Sequence, residues 1–150
     1  MTASPPLLLG ILAVFVGGAC IAVQAPINAR LARPMGDPVL AAAISFGVGF
    51  AVLAAVAAMR GALPGLANAG AVPWWAWTGG ALGAVYVWAA VWSVGTLGVV
   101  TLVAALIAGQ MTAALALDAT GAFGVPVHAI DWKRILAVVL VAAGVVLSRL

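Results

Sequence analysis

Charge is the scarcest commodity in this sequence: six Lys and Arg, three Asp and no Glu leave only 6% of its 150 residues charged. A soluble domain carries about a quarter of its residues as charges, so a separate water-soluble domain is excluded. The net charge of +3 is too thinly spread for a nucleic-acid face. The cations instead stand beside apolar runs, where they read as interface anchors. The single cysteine, Cys20, excludes an intrachain disulfide. His128 is the only histidine and sits in a loop near Pro126 with no second ligand type around it, so no metal site is expected. No Ser or Cys has a base at a spacing suited to nucleophilic catalysis, and neither an enzyme nor a cofactor is expected.

What remains is apolar: 67% of the chain is hydrophobic, roughly 100 residues, or about five spans at about 20 residues each. Continuous runs of that length lack the period-two alternation of barrel strands, and helices satisfy their own backbone in lipid. The expected architecture is an all-α membrane protein forming a single transmembrane domain over residues 1–150. Its five helices are expected at about 7–29, 39–59, 74–93, 97–117 and 132–149. Residues 1–6 bring no Lys or Arg, and the first run continues past Cys20 to Val23, so that run is expected to be a span rather than a signal peptide. Arg30 and Arg33 end it, and the turn residues Pro34 to Pro38 follow. Arg60 closes the second run; Trp74, Trp75 and Trp77 open the third at headgroup level. Gly95 marks the end of the third, Asp118 and Gly121 the end of the fourth, and Trp132, Lys133 and Arg134 the start of the short fifth.

Five spans put the two ends of the chain on opposite sides. Arg60, Lys133 and Arg134 then face Arg30, Arg33 and Arg149, three cations against three. Orientation normally follows an excess of cations in cytoplasmic loops. Here there is none, so insertion in both orientations is expected, against the alternative of a weak single orientation if the terminal Arg149 counts for less. Two inverted copies related by an axis in the membrane plane would rebuild the inverted repeat that many transporters carry in one chain.

A set of short motifs runs through the chain in order: Gln24-Ala25-Pro26-Ile27-Asn28, Gly36-Asp37-Pro38, Ser45-Phe46, Trp74-Trp75, Gly79 to Ala84, Leu97-Gly98, Gly109-Gln110, and Asp118 with Gly121. On these the chain resembles the YdcZ-like family of small bacterial integral membrane proteins in the drug/metabolite transporter superfamily. The resemblance implies five transmembrane helices, a bacterial inner-membrane location, a transport role, and occurrence as dual-topology homodimers, oppositely oriented heterodimers or fused pairs. The family is similar to the small multidrug resistance proteins, whose first helix carries an essential Glu. The absence of Glu here counts against their carboxylate-based exchange of protons and cations.

Polar side chains within lipid are costly unless partnered or facing a cavity, so the few present are the candidate site. Cys20, Gln24 and Asn28 share one helical face, with Pro26 among them freeing the carbonyl of Ala22. Gln24 and Asn28 either bind solute or bond to neighbouring helices. Ser45 could bond back to its own backbone. Tyr86 and Gln110 fall near mid-span in their helices; either they border a central cavity or they bond between helices. Trp88 belongs to a Trp77, Trp88, Trp92 face that meets lipid, a partner chain or an aromatic-walled pocket. Gly79, Gly83 and Gly109 read first as helix-packing positions. Asp118 is expected to pair with Arg134 or to cap the loop rather than to couple protons.

The sequence thus points to a small-solute transporter working by alternating access as an antiparallel homodimer. A neutral, anionic or aromatic solute suits the lining better than a naked cation. The alternative is a non-transporting membrane subunit that binds a partner membrane protein. Expected partners are the solute, the lipid bilayer, and an inverted second copy or an oppositely oriented paralogue.

Overall fold

The structure, a computed structural model, describes residues 7–150; residues 1–6, on which part of the signal-peptide argument rests, lie outside the described residues. Every long element is helical: α1 (Leu7–Met35), α2 (Pro38–Met59), α3 (Gly79–Leu97), α4 (Val99–Thr120) and α5 (Trp132–Leu147), with 3₁₀ segments at Leu63–Ala71, Trp74–Thr78 and Ala122–Gly124. Among the described residues four stretches are long and apolar enough to cross a bilayer: Leu7–Met35, Pro38–Met59, Trp74–Leu97 and Val99–Thr120. Helix α5, at 16 residues, is shorter, about 24 Å against about 30 Å of hydrocarbon.

The chain divides into two compact units, Met1–Gly95 and Thr96–Leu150. In the first, α1 and α2 form a hairpin. Helix α1 continues beyond the expected end at Ala29, through Pro34 to Met35. The apolar run stops at Arg30, but the backbone ladder does not. Pro34 has a near-helical φ and costs the last turn of α1 one amide bond. Gly36, at φ +69, then reverses the chain. Asp37 caps α2, its Oδ1 accepting from the Val39 amide at 2.7 Å, with Pro38 at the first helical position.

The expected third span begins with a 3₁₀ turn rather than an α-helix: the Ala76 amide donates to the Pro73 carbonyl at 3.0 Å, and the Thr78 hydroxyl to the Trp75 carbonyl at 2.7 Å. Helix α3 starts only at Gly79 and passes through Gly95, which was expected to end it. The break falls at Gly98, at φ +75. A glycine in helical φ merely weakens a helix, whereas a positive φ stops it, and glycine is the residue that adopts one cheaply. The core of this unit is small and made largely of small residues. Ala41 and Ala42 of α2 and Val87 and Val91 of α3 are buried together, with Leu31, Ala32 and Tyr86 packed against them. Alanines let helix backbones approach closely where lipid supplies no hydrophobic drive to associate.

The second unit is the α4 and α5 hairpin. Gly121 closes α4 in the left-handed conformation at φ +64, its amide donating to the Leu117 carbonyl. The helix therefore runs past Leu117 to Thr120. Asp131 caps α5 by accepting from the Arg134 amide at 2.9 Å. Helix α5 ends at Leu147, short of Arg149, where Ser148 turns its hydroxyl onto the Val145 carbonyl at 2.7 Å.

Candidate solute-binding site

In the first unit, Gln24 and Asn28 stand one helical turn apart on α1 and turn their amides toward the same hydroxyl. Gln24 Nε2 donates to Ser45 Oγ at 3.3 Å, and Asn28 Nδ2 donates to it at 3.1 Å. Asn28 is buried at 4% exposure, and its amide donates to a side chain of α2. Ser45 does not bond back to its own helix here; it is the acceptor on which two amides converge. Hairpin register explains the meeting: Asn28 and Ser45 stand equally far from the Gly36–Asp37 turn, and Gln24 reaches the same hydroxyl from one turn deeper. The cluster lies just beneath Arg30, toward one mouth of the span.

Two spaces flank this cluster. One, between α1 and α3, is lined by Gln24, Asn28 and Tyr86 with Ile21, Ala25 and Val87, and its volume of ≈ 10 Å³ is about the room for one water. The other is an open groove of ≈ 570 Å³ on which Cys20, Gln24, Asn28 and Ser45 meet the apolar Phe15, Val23 and Ile27. The shared face expected of Cys20, Gln24 and Asn28 is thus one wall of a groove of solute size. Pro26 lies within α1, and the helix continues past it.

The remaining candidate residues are placed differently. Tyr86 joins Gln24 and Asn28 at the small space and is half-buried. Trp88 is not at this cluster: its ring stacks on Trp92, with centroids 6.0 Å apart and planes at 11°. Gln110 is carried by the second unit, where its side chain is exposed on α4. Of the glycines, Gly83 meets a neighbour: a Cβ there would lie 3.3 Å from Cζ of Phe46 on α2. Around Gly79, and around Gly109 within its own unit, a Cβ would find nothing within 4 Å.

The second unit carries an ion pair, Arg134 Nη1 to Asp118 Oδ2 at 2.6 Å, with both side chains about one-third exposed. It stands at the mouth of a cleft of ≈ 200 Å³ walled by Met111, Leu115, Ala137 and Val138. The His128 amide donates to the Asp118 carbonyl at 2.8 Å, folding the loop back onto the end of α4. At the opposite end of the hairpin, the hydroxyl oxygens of Ser148 and Thr101 stand 3.0 Å apart in a hydrogen bond. Sequence reading missed this second tie, although Thr101 and Ser148 stand about equally far from the Gly124–Val125 turn.

Long apolar helices that place neutral polar groups inside the span and an ion pair where a span meets its loop define an integral membrane protein. The chain belongs to the family described as "Putative inner membrane exporter, YdcZ", which matches residues 9–147. It is accordingly a protein of the inner membrane. No curated protein and no solved structure matches it.

Proposed function

We propose that this chain is one half of an exporter of small solutes, working by alternating access as an antiparallel homodimer or beside an oppositely oriented paralogue. The observation that carries the reading is the convergence of Gln24 and Asn28 on Ser45 beneath an open groove of solute size. Amides that merely stapled two helices would need no such space beside them. A solute that accepts and donates hydrogen bonds can exchange for the Ser45 contacts at little net cost, since each amide then trades one partner for another. Tyr86, which lines the small space beside Gln24 and Asn28, is assigned to the same site as a contact for uncharged or aromatic parts of the solute. Trp88 in the first unit and Gln110 in the second are proposed as further solute contacts, each within its own unit. The groove holds no charged side chain, which favours a neutral, anionic or aromatic solute over a bare cation.

Five crossings underlie the inverted dimer. In support, α5 is tied to α4 at both ends, by Arg134 to Asp118 and by Ser148 to Thr101, so it runs alongside most of a helix of spanning length. Trp132, Lys133 and Arg149 at its ends can reach the headgroups across the missing length. With five crossings, Arg60, Lys133 and Arg134 balance Arg30, Arg33 and Arg149, and neither orientation is favoured. Gly79 and Gly109, open along their helices, are surfaces on which a second copy can approach closely.

The test has two arms. Tags on both termini, probed from each side of native membranes, should be reached from both; a single orientation with no inverted mate overturns the dimer. Purified protein in liposomes should move neutral or aromatic dyes, and Asn28→Leu or Gln110→Leu should abolish that flux while dimerisation persists. Unchanged flux in both variants would remove the assigned site, and no flux from the unaltered protein would return the chain to the role of a partner-binding subunit.

A further inference from the structure

Between Arg60 and Asp118 the sequence contains no charged residue, and that stretch includes the longest connection in the first unit, Gly61 to Thr78. A connection of this length facing water would be expected to carry charges and to hide its apolar side chains. This one does neither: Leu66 is 69% exposed and Trp74 is 79% exposed. Its backbone, however, is folded. Residues Leu63–Ala71 form a 3₁₀ helix and Trp74–Thr78 a second. The intervening and flanking amides are held locally, Gly65 to Ala62, Val72 to Ala69 and Ala76 to Pro73, at 3.0 to 3.1 Å.

Period decides which face matters. In a 3₁₀ helix residues i and i+3 eclipse one another. The spacing Leu63, Leu66, Ala69, Val72 therefore makes a single stripe, while Pro64, Ala67 and Gly70, and Gly65, Asn68 and Ala71, make the other two. The large aliphatic side chains all fall in one stripe. Leu66, Ala69 and Val72, with Gly65 and Asn68 beside them, line a groove of ≈ 380 Å³ with Ala76 and Trp77, so the stripe shares a surface with the Trp77 indole. Helix α3 alone, at 19 residues, covers about 28 Å and nearly crosses the hydrocarbon unaided. The Trp-rich turn before it is then left at headgroup depth, where indoles are favoured.

We propose that residues 63–78 form a foot lying in the headgroup layer, bound to lipid through the Leu63–Leu66–Ala69–Val72 stripe and the Trp74, Trp75 and Trp77 rings. The occupant of this surface is the bilayer itself. The stripe is continuous with a span already surrounded by lipid, and the absence of charge lets it settle without anionic lipid.

The test places single cysteines at Leu63, Leu66 and Val72, and at Ala67, Gly70 and Ala71, in a Cys20→Ser background; all six positions are exposed, so labelling leaves the spans undisturbed. Each is labelled with a polarity-sensitive dye and the full chain reconstituted in phosphatidylcholine vesicles. Dyes on the stripe should be several-fold better protected from aqueous iodide than those off it. They should also be quenched more by nitroxides near the headgroup than by nitroxides deep in the acyl chains. Equal iodide access at all six positions would overturn the proposal in favour of a water-facing loop. Protection from iodide and from both nitroxides would overturn it in favour of a protein-covered face, and stronger quenching by deep nitroxides in favour of a segment inside the hydrocarbon.

Discussion

The two units solve the same problem, holding antiparallel helices together in lipid, with different chemistry. The first unit ties α1 to α2 within the span, and uses only neutral groups: two amides on one hydroxyl. The second ties α4 to α5 at its two ends, with an ion pair beside the loop and a hydroxyl pair at the far end. The contrast teaches a rule of depth. Water and headgroups at a span's end can share the solvation of a carboxylate and a guanidinium. Inside the span only groups that cost little to desolvate are tolerable. The first unit's neutral polar groups stand beside an open groove, and the second's ion pair, about one-third exposed, at a smaller cleft.

The comparison breaks most readily at the turn of the second unit. Gly121→Ala forces a side chain into φ +64 and brings its Cβ to 2.7 Å from Cγ2 of Val127. A loss of about 2 kcal/mol follows from backbone strain and overpacking together, to be read from unfolding in detergent micelles, with the first unit's groove unaffected. Next comes Asn28→Leu, which removes one of two donors to Ser45 while Gln24 keeps its bond. Interhelical hydrogen bonds in membranes average about 0.6 kcal/mol, so stability should fall by no more than about 1 kcal/mol while solute flux is lost. A fall in stability without loss of flux would mean that both units use their polar groups only to staple. Arg134→Met should cost about 0.5 kcal/mol, in keeping with a partly exposed pair. That cost should shrink in high salt, whereas the Asn28→Leu cost should not change, because neutral hydrogen bonds are not screened. Thr101→Val should cost about the same, roughly half a kcal/mol, but be insensitive to salt; a cost that shrinks in high salt as that of Arg134→Met does would erase the difference between the two ties.

Much of this was legible because lipid imposes strong rules on sequence. Five apolar runs were read as spans; among the described residues four stretches are long and apolar enough to cross a bilayer and α5 is shorter, while the polar residues inside the runs were few enough to name. Boundaries were less legible where hydropathy and backbone part company. Arg30 ends the apolar run but not α1, and Trp74 begins an apolar run whose first turn is 3₁₀. Gly95 and Gly98 look alike in sequence, and only the second takes the positive φ that stops a helix. In the site, Gln24 and Asn28 were evident from spacing on one helix. Their acceptor was not, because Ser45 belongs to another helix and hydroxyls in spans commonly bond to their own backbone, as Thr112 does to the Ala108 carbonyl at 2.8 Å. Counting outward from the Gly36–Asp37 turn would have found Ser45. The same count from the Gly124–Val125 turn links Thr101 to Ser148, which the sequence did not suggest; Asp118 and Arg134, whose pairing it did suggest, fall off that register. The spacing of Leu63, Leu66 and Val72 was invisible for another reason: period three belongs to a helix type rarely sustained for nine residues.

Helix α1 spans 29 residues and α5 only 16, about 43 Å and 24 Å end to end. Against a hydrocarbon layer of about 30 Å the first is too long and the second too short. The first must lean or stand proud of the surface. With the proposed fifth crossing, the second needs its flanking Trp132, Lys133 and Arg149 to make up the difference, and a membrane made uniformly thicker or thinner then relieves one helix only by burdening the other.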